Sequence, residues 1–93
     1  MTKIVFRKFR KNGDVIALFP ERIWNQHDYS IASYMHVGQH SGADYDHIIR
    51  ATIPATESEY ADLLAELKSI GYDDLRVMRK CRPNYAKLTK QFN

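Results

Sequence analysis

Apolar and cationic positions interleave from Lys3 to Phe9, where Ile4, Val5, Phe6 and Phe9 are β-prone and Lys3, Arg7 and Lys8 lie between them. The pattern predicts a first strand. Asn12-Gly13 follows, two residues that tolerate positive φ, and predicts a hairpin turn. Asp14 to Phe19 is nearly all apolar, as in a strand covered on both faces. Pro20 is expected to end it, because proline has no N–H to give the ladder. Glu21 to Tyr29 reads as a polar loop carrying the only tryptophan, Trp24. Ser30 to Val37 predicts a third strand, with Ile31, Ser33, Met35 and Val37 on one side and Ala32, Tyr34 and His36 on the other. A glycine-bearing loop, Gly38 to Asp44, then leads to a fourth strand. That strand is read over His47 to Ile53, where Ile49, Ala51 and Ile53 alternate with Ile48, Arg50 and Thr52.

The period then changes. Tyr60, Leu63, Leu64, Leu67 and Ile70 recur at helical spacing and make one apolar stripe. Thr56-Glu57-Ser58-Glu59 has the form of a capping box, with Thr56 at the N-cap and Glu59 reaching back. Gly71 is placed to close the helix. Leu75 to Lys80 predicts a last strand, and Pro83 breaks its pattern. The expected architecture is α+β: a single small domain over residues 1–82, mostly an antiparallel sheet of about five strands in ββββαβ order, with one amphipathic helix packed on it. Residues 83–93 read as a basic C-terminal tail.

Length and composition narrow the function classes. The 93 residues suffice for one domain with a modest core. No apolar run approaches the roughly 20 residues of a membrane span, and Met1-Thr2-Lys3-Ile4 begins no long apolar leader segment. The single cysteine, Cys81, permits no internal disulfide. A cytoplasmic setting without a membrane role is the expectation.

The formal charge of +3 is unevenly placed. Lys3, Arg7, Lys8, Arg10 and Lys11 precede the first acid, and Arg76, Arg79, Lys80, Arg82, Lys87 and Lys90 follow the last. If the two ends lie side by side they make one basic face, suited to phosphates or to an acidic protein. Arg7, Arg10, Arg76, Arg79 and Lys80 are its candidate binding residues. Trp24 joins them either as a binding anchor or as a cover over the edge of the core. Aromatics among the cations also fit single-stranded nucleic acid, although no RNP, KH or helix-turn-helix pattern is present.

The densest polar stretch holds His36, Gln39, His40, Asp44 and His47. Histidine and carboxylate groups bind transition metals or act as general acids and bases. Their spacing matches no zinc motif, and a loop that packs on itself uses the same groups structurally. Ser41 lies in no nucleophile-elbow context, and Cys81 stands alone between Lys80 and Arg82. No phosphate-cradling glycine motif occurs. Neither catalytic residues nor a metal or other cofactor are expected.

Several stretches resemble a family of small uncharacterised proteins of phages, plasmids and other mobile elements. They are Asp14-Val15-Ile16-Ala17-Leu18-Phe19-Pro20-Glu21, His36-Val37-Gly38-Gln39-His40, Ala43-Asp44-Tyr45, Ile49-Arg50, Pro54-Ala55-Thr56, Glu59-Tyr60 and Leu63 to Tyr72. Arg22 to Ser33 departs from the family pattern, and the tail after Pro83 lies outside it. The resemblance implies a host-protein partner rather than a known activity, with inhibition of a host defence nuclease in the manner of an anti-CRISPR as one form. The leading expectation is a non-enzymatic interaction module or inhibitor. A nucleic-acid binder and a small enzyme or metal-binding protein built on His36, His40 and Asp44 are the alternatives.

Overall fold

A computed structural model of the chain describes residues 1–25, 27, 29–35, 39–85 and 88. The first strand, β1 (Thr2–Phe9), turns back into β2 (Val15–Asn25) where the sequence places the hairpin. Gly13 takes φ +79° there, and the Asn12 side chain accepts from the Asp14 N–H at 2.9 Å. The two strands pair antiparallel, with Val5 opposite Leu18 and Lys8 opposite Val15. Both faces of β2 are buried: Ile16 and Leu18 enter one core cluster, Ala17 and Phe19 the other.

Pro20 does not end β2. The strand continues to Asn25, so the expected loop is extended backbone over Glu21–Asn25. Pairing with β3 (Ser30–Met35) jumps from Phe19 opposite Ala32 to Ile23 opposite Ile31. Pro20, Glu21 and Arg22 therefore bulge out of register, where a missing N–H breaks no ladder bond. The strand β4 (Gln39–Ala43) occupies most of the expected glycine loop and pairs antiparallel with β3. Gly42 serves that strand rather than a turn. A Cβ there would lie 2.4 Å from Trp24 Cδ1, so its bare backbone is what lets the indole pack down.

The second correction concerns His47 to Ile53. Tyr45–Ala51 is a helix, α1, and only Thr52–Pro54 is a strand, β5. Asp44 caps α1, its side chain accepting from the His47 N–H at 3.3 Å. Tyr45, Ile48 and Ile49 then turn onto the sheet. Seven residues are too few to separate a period of two from one of 3.6, and contact with the sheet decides between them.

The helix α2 (Glu57–Ser69) follows the sequence reading closely. Glu59 Oε1 accepts from the Thr56 N–H at 2.9 Å. At the other end Gly71 takes φ +117°. The Tyr72 N–H reaches the Leu67 carbonyl at 3.1 Å and the Gly71 N–H that of Lys68 at 3.2 Å, a Schellman closure. The last strand, β6 (Leu75–Met78), runs parallel to β1 and pairs with its first half, while β5 pairs with its second half.

The result is a six-stranded sheet, mostly antiparallel, in the α+β class, with both faces covered. On one face α2 closes a core of Ile4, Phe6, Ala17, Phe19, Tyr34, Leu63 and Leu67. On the other, α1 lies over Val5, Ile16, Leu18 and Ile31, joined by Met78, Cys81 and Tyr85. Met78 of β6 thus packs against this second core. Leu88, in the expected tail, is buried.

Lys8 on β1 binds Glu59 on α2. That hydrogen bond first, and the Thr56 backbone N–H second, hold the Glu59 carboxyl down to about 2 from an ordinary 4.5. The folded state therefore favours the ionised form. Its contribution is complete above about pH 4.5 and is lost as the pH falls toward 2. Thermal melting across that window should show a shallower loss of Tm in Glu59→Gln than in the wild type. Equal slopes would mean that the pair adds nothing to acid stability.

Candidate functional site

The His/Asp stretch does not form one site. His36 lies outside the described residues. Gln39 opens β4. His40 stands opposite Tyr34, with ring centroids 4.7 Å apart. Its Nε2 lies 2.9 Å from the Tyr72 hydroxyl, on the face that carries α2. Asp44 caps α1 and His47 is an exposed residue of that helix, on the other face. Among the described residues no three His, Cys, Asp or Glu side chains gather as metal ligands. The Ser41 hydroxyl donates to the Gly42 carbonyl at 3.2 Å.

Trp24 is half exposed and lies over Gly42 beside Ser30. Gly42 is cross-strand from Ala32, so the indole shares the sheet face of Ala32 and Tyr34. The cations gather elsewhere. Arg7 alternates with Phe6 and projects to the α1 face, where Arg79, Lys80 and Arg82 join it around a cleft of about 310 Å³. Arg76 pairs in register with Lys3 on the neighbouring strand and does not line this cleft. Trp24 and Arg7, expected to share one contact surface, occupy different faces of the sheet, while Arg79 at the end of β6 also borders Phe6 and Tyr60 on the α2 face.

Arg7 is not a free surface group. It is only 8% exposed. Its Nε donates to Thr52 Oγ1 at 2.9 Å, and its Nη2 to the carbonyls of Thr52 at 2.9 Å and Ile49 at 3.2 Å. The guanidinium thus closes the C-terminal end of α1, where helix carbonyls lack partners, and ties that helix to β1. Burial lowers its pKa first, with the like charges of Arg10 and Arg79 adding to the effect and Tyr45 opposing it. It nonetheless stays protonated. Arg10 is thereby placed within electrostatic reach of the cleft.

No family model, curated protein or solved structure matches the chain. The reading therefore rests on the cleft. Its wall is formed by Tyr45 and Ile49 of α1, with Cys81 half-buried beside them. Burial pushes the Tyr45 phenol above its ordinary value, so its hydroxyl remains a hydrogen-bond donor. Arg82 meets one carboxylate, Asp46, at 3.4 Å, and both side chains are largely exposed. Such a pair is worth at most about 1 kcal/mol and yields readily to a better anion. The arrangement suits holding an anion.

Arg79 and Lys80 were legible in the sequence as part of a basic run. Tyr45, Ile49 and Arg82 were not singled out. Arg82 belongs to that same run, and the Asp44 cap was the signal that Tyr45 and Ile49 share a helix face. No helix among the described residues is long and apolar enough to cross a membrane.

Proposed function

We propose that the protein is a small non-enzymatic binding module that holds an acidic partner against the cationic cleft of the α1 face. The observation that carries this reading is the convergence of Arg7, Arg79, Lys80 and Arg82 on one concavity, where Arg82–Asp46 is the one ion pair these cations make among the described residues. Exposed arginines around a fixed guanidinium and a tyrosine are the residue types that concentrate binding energy. The resemblance to mobile-element proteins supports a host protein of the bacterial cytoplasm as the partner and inhibition as the outcome, defence nucleases included.

Tagged wild-type protein, Arg79→Glu and Trp24→Ala are to be compared as baits in bacterial lysate with and without nuclease treatment. The expected result is one discrete protein retained by the wild type and by Trp24→Ala, and reduced at least about tenfold by Arg79→Glu. Retention that survives Arg79→Glu, or is lost only with Trp24→Ala, overturns the cleft as the contact. Material that disappears on nuclease treatment assigns the cations to nucleic acid instead.

A further inference from the structure

We propose that the same cleft is a subsite for a phosphate monoester on an apolar stem, the chemistry of a phosphorylated aromatic side chain on the partner. The inference rests on the binding role proposed above and names the group that enters the cleft.

Arg7 supplies the fixed point. Three of its N–H bonds are committed to Thr52 and Ile49, whereas Nη1 donates to none of the described residues although Arg7 lines the cleft. Helix capping uses Nε and Nη2 and leaves the two N–H groups of Nη1 uncommitted among the described residues. Arg79, Lys80 and Arg82 stand exposed around it. Among the described residues no carboxylate acts on Arg7, while Arg10 and Arg79 both act on it with like charge. An incoming anion relieves that repulsion.

The number of donors selects among anions. A carboxylate has two oxygens and one charge. A monoester dianion has three terminal oxygens and nearly two charges at neutral pH, and arginine clusters bind it through charge-assisted bonds. Arg7 Nη1 comes from β1, and Arg79, Lys80 and Arg82 come from the segment that follows β6, so donors enough for three acceptor oxygens line one cleft. The volume of about 310 Å³ exceeds what a bare phosphate fills, and it sits at the lower end of the range for small organic ligands. Tyr45 and Ile49 supply the wall against which an aromatic stem packs.

Phenyl phosphate is the probe, titrated into the full chain and followed by two-dimensional NMR, with phenylacetate and inorganic phosphate as comparisons. Saturable shifts are expected at the Arg7 Nε–H and at the Tyr45 and Ile49 amides. Phenylacetate and the double variant Arg79→Gln/Arg82→Gln should each weaken binding about tenfold, and Arg10→Gln less than about threefold. Inorganic phosphate should bind more weakly than phenyl phosphate. Affinity should fall between about pH 7.5 and 5.5, because the second ionisation of a monoester lies near pH 6.

Equal binding of phenylacetate, or shifts in the double variant that match the wild type, overturn the monoester assignment. If that happens while Arg79→Glu still abolishes partner capture, the cleft is a general acidic contact and the proposed function stands. If Arg79→Glu also leaves capture intact, both fail together.

Discussion

Replacing Arg7 by alanine should lower the free energy of unfolding by about 3 kcal/mol. The side chain donates three hydrogen bonds inside the protein, two of them to carbonyls at the end of α1 and the start of β5. Hydrogen bonds to a charged group are each worth about 1.5–3 kcal/mol, and buried acceptors left without a donor add their own penalty. Two effects work the other way. The variant no longer buries a cation, and it removes the repulsion from Arg10 and Arg79. The bonds win because Arg7 meets its acceptors at 2.9–3.2 Å, whereas neighbouring cations at the surface are screened by solvent. A loss of 3 kcal/mol would lower Tm by roughly 12–24 °C in a domain of this size. Arg7→Lys keeps the charge but not the fork and should recover only a minority of the loss. Urea unfolding followed by far-ultraviolet dichroism measures both. A change below about 1 kcal/mol for Arg7→Ala would show that self-repulsion cancels the bonds.

Leu67→Ala should have an effect of similar size for a different reason. Leu67 is fully buried beneath the sheet face formed by Ile4, Phe6, Ala17, Phe19 and Tyr34. Its carbonyl anchors the Schellman closure with Tyr72, whose ring stacks on Phe19 at 5.3 Å. Truncation leaves the backbone closure in place and removes the side chain from a close-packed layer. Transfer and cavity terms together come to about 3 kcal/mol for such a site. Ile70, one turn further and half exposed, lies at the margin of the same stripe. Ile70→Ala should stay within about 0.5 kcal/mol. Guanidinium unfolding midpoints at unchanged m-value would test the contrast. Equal effects at the two positions would mean that the apolar stripe of α2 is not what holds it to the sheet.

The elements legible in advance are those whose signals are local. The hairpin turn and the end of α2 each need a residue at positive φ, and Gly13 and Gly71 supply it. The Thr56–Glu59 box and the Tyr60–Ile70 stripe specify α2 through contacts three and four residues apart. The elements read differently are those settled by distant neighbours. Pro20 ends a strand only if its N–H is wanted, and the shifted register between β2 and β3 leaves it unwanted. Gly42 signals a turn in isolation, but in the fold it is the floor under Trp24. His47 to Ile53 alternates well enough for a strand. Arg7, forty residues earlier, is what closes the helix that forms there instead.

The sequence by itself determined the α+β class, the hairpin, the capped helix α2 and the concentration of cations in two terminal segments. Each of these follows from backbone preference or from side chains within one helical turn. Only the tertiary structure decided what those cations do. The parallel pairing of β6 with β1 brings Arg79, Lys80 and Arg82 to Arg7. The two sheet faces separate Trp24 from Arg7 and part His40 from Asp44 and His47. Strand register and face assignment are properties of the whole sheet. A shift of one residue would exchange every inward and outward side chain.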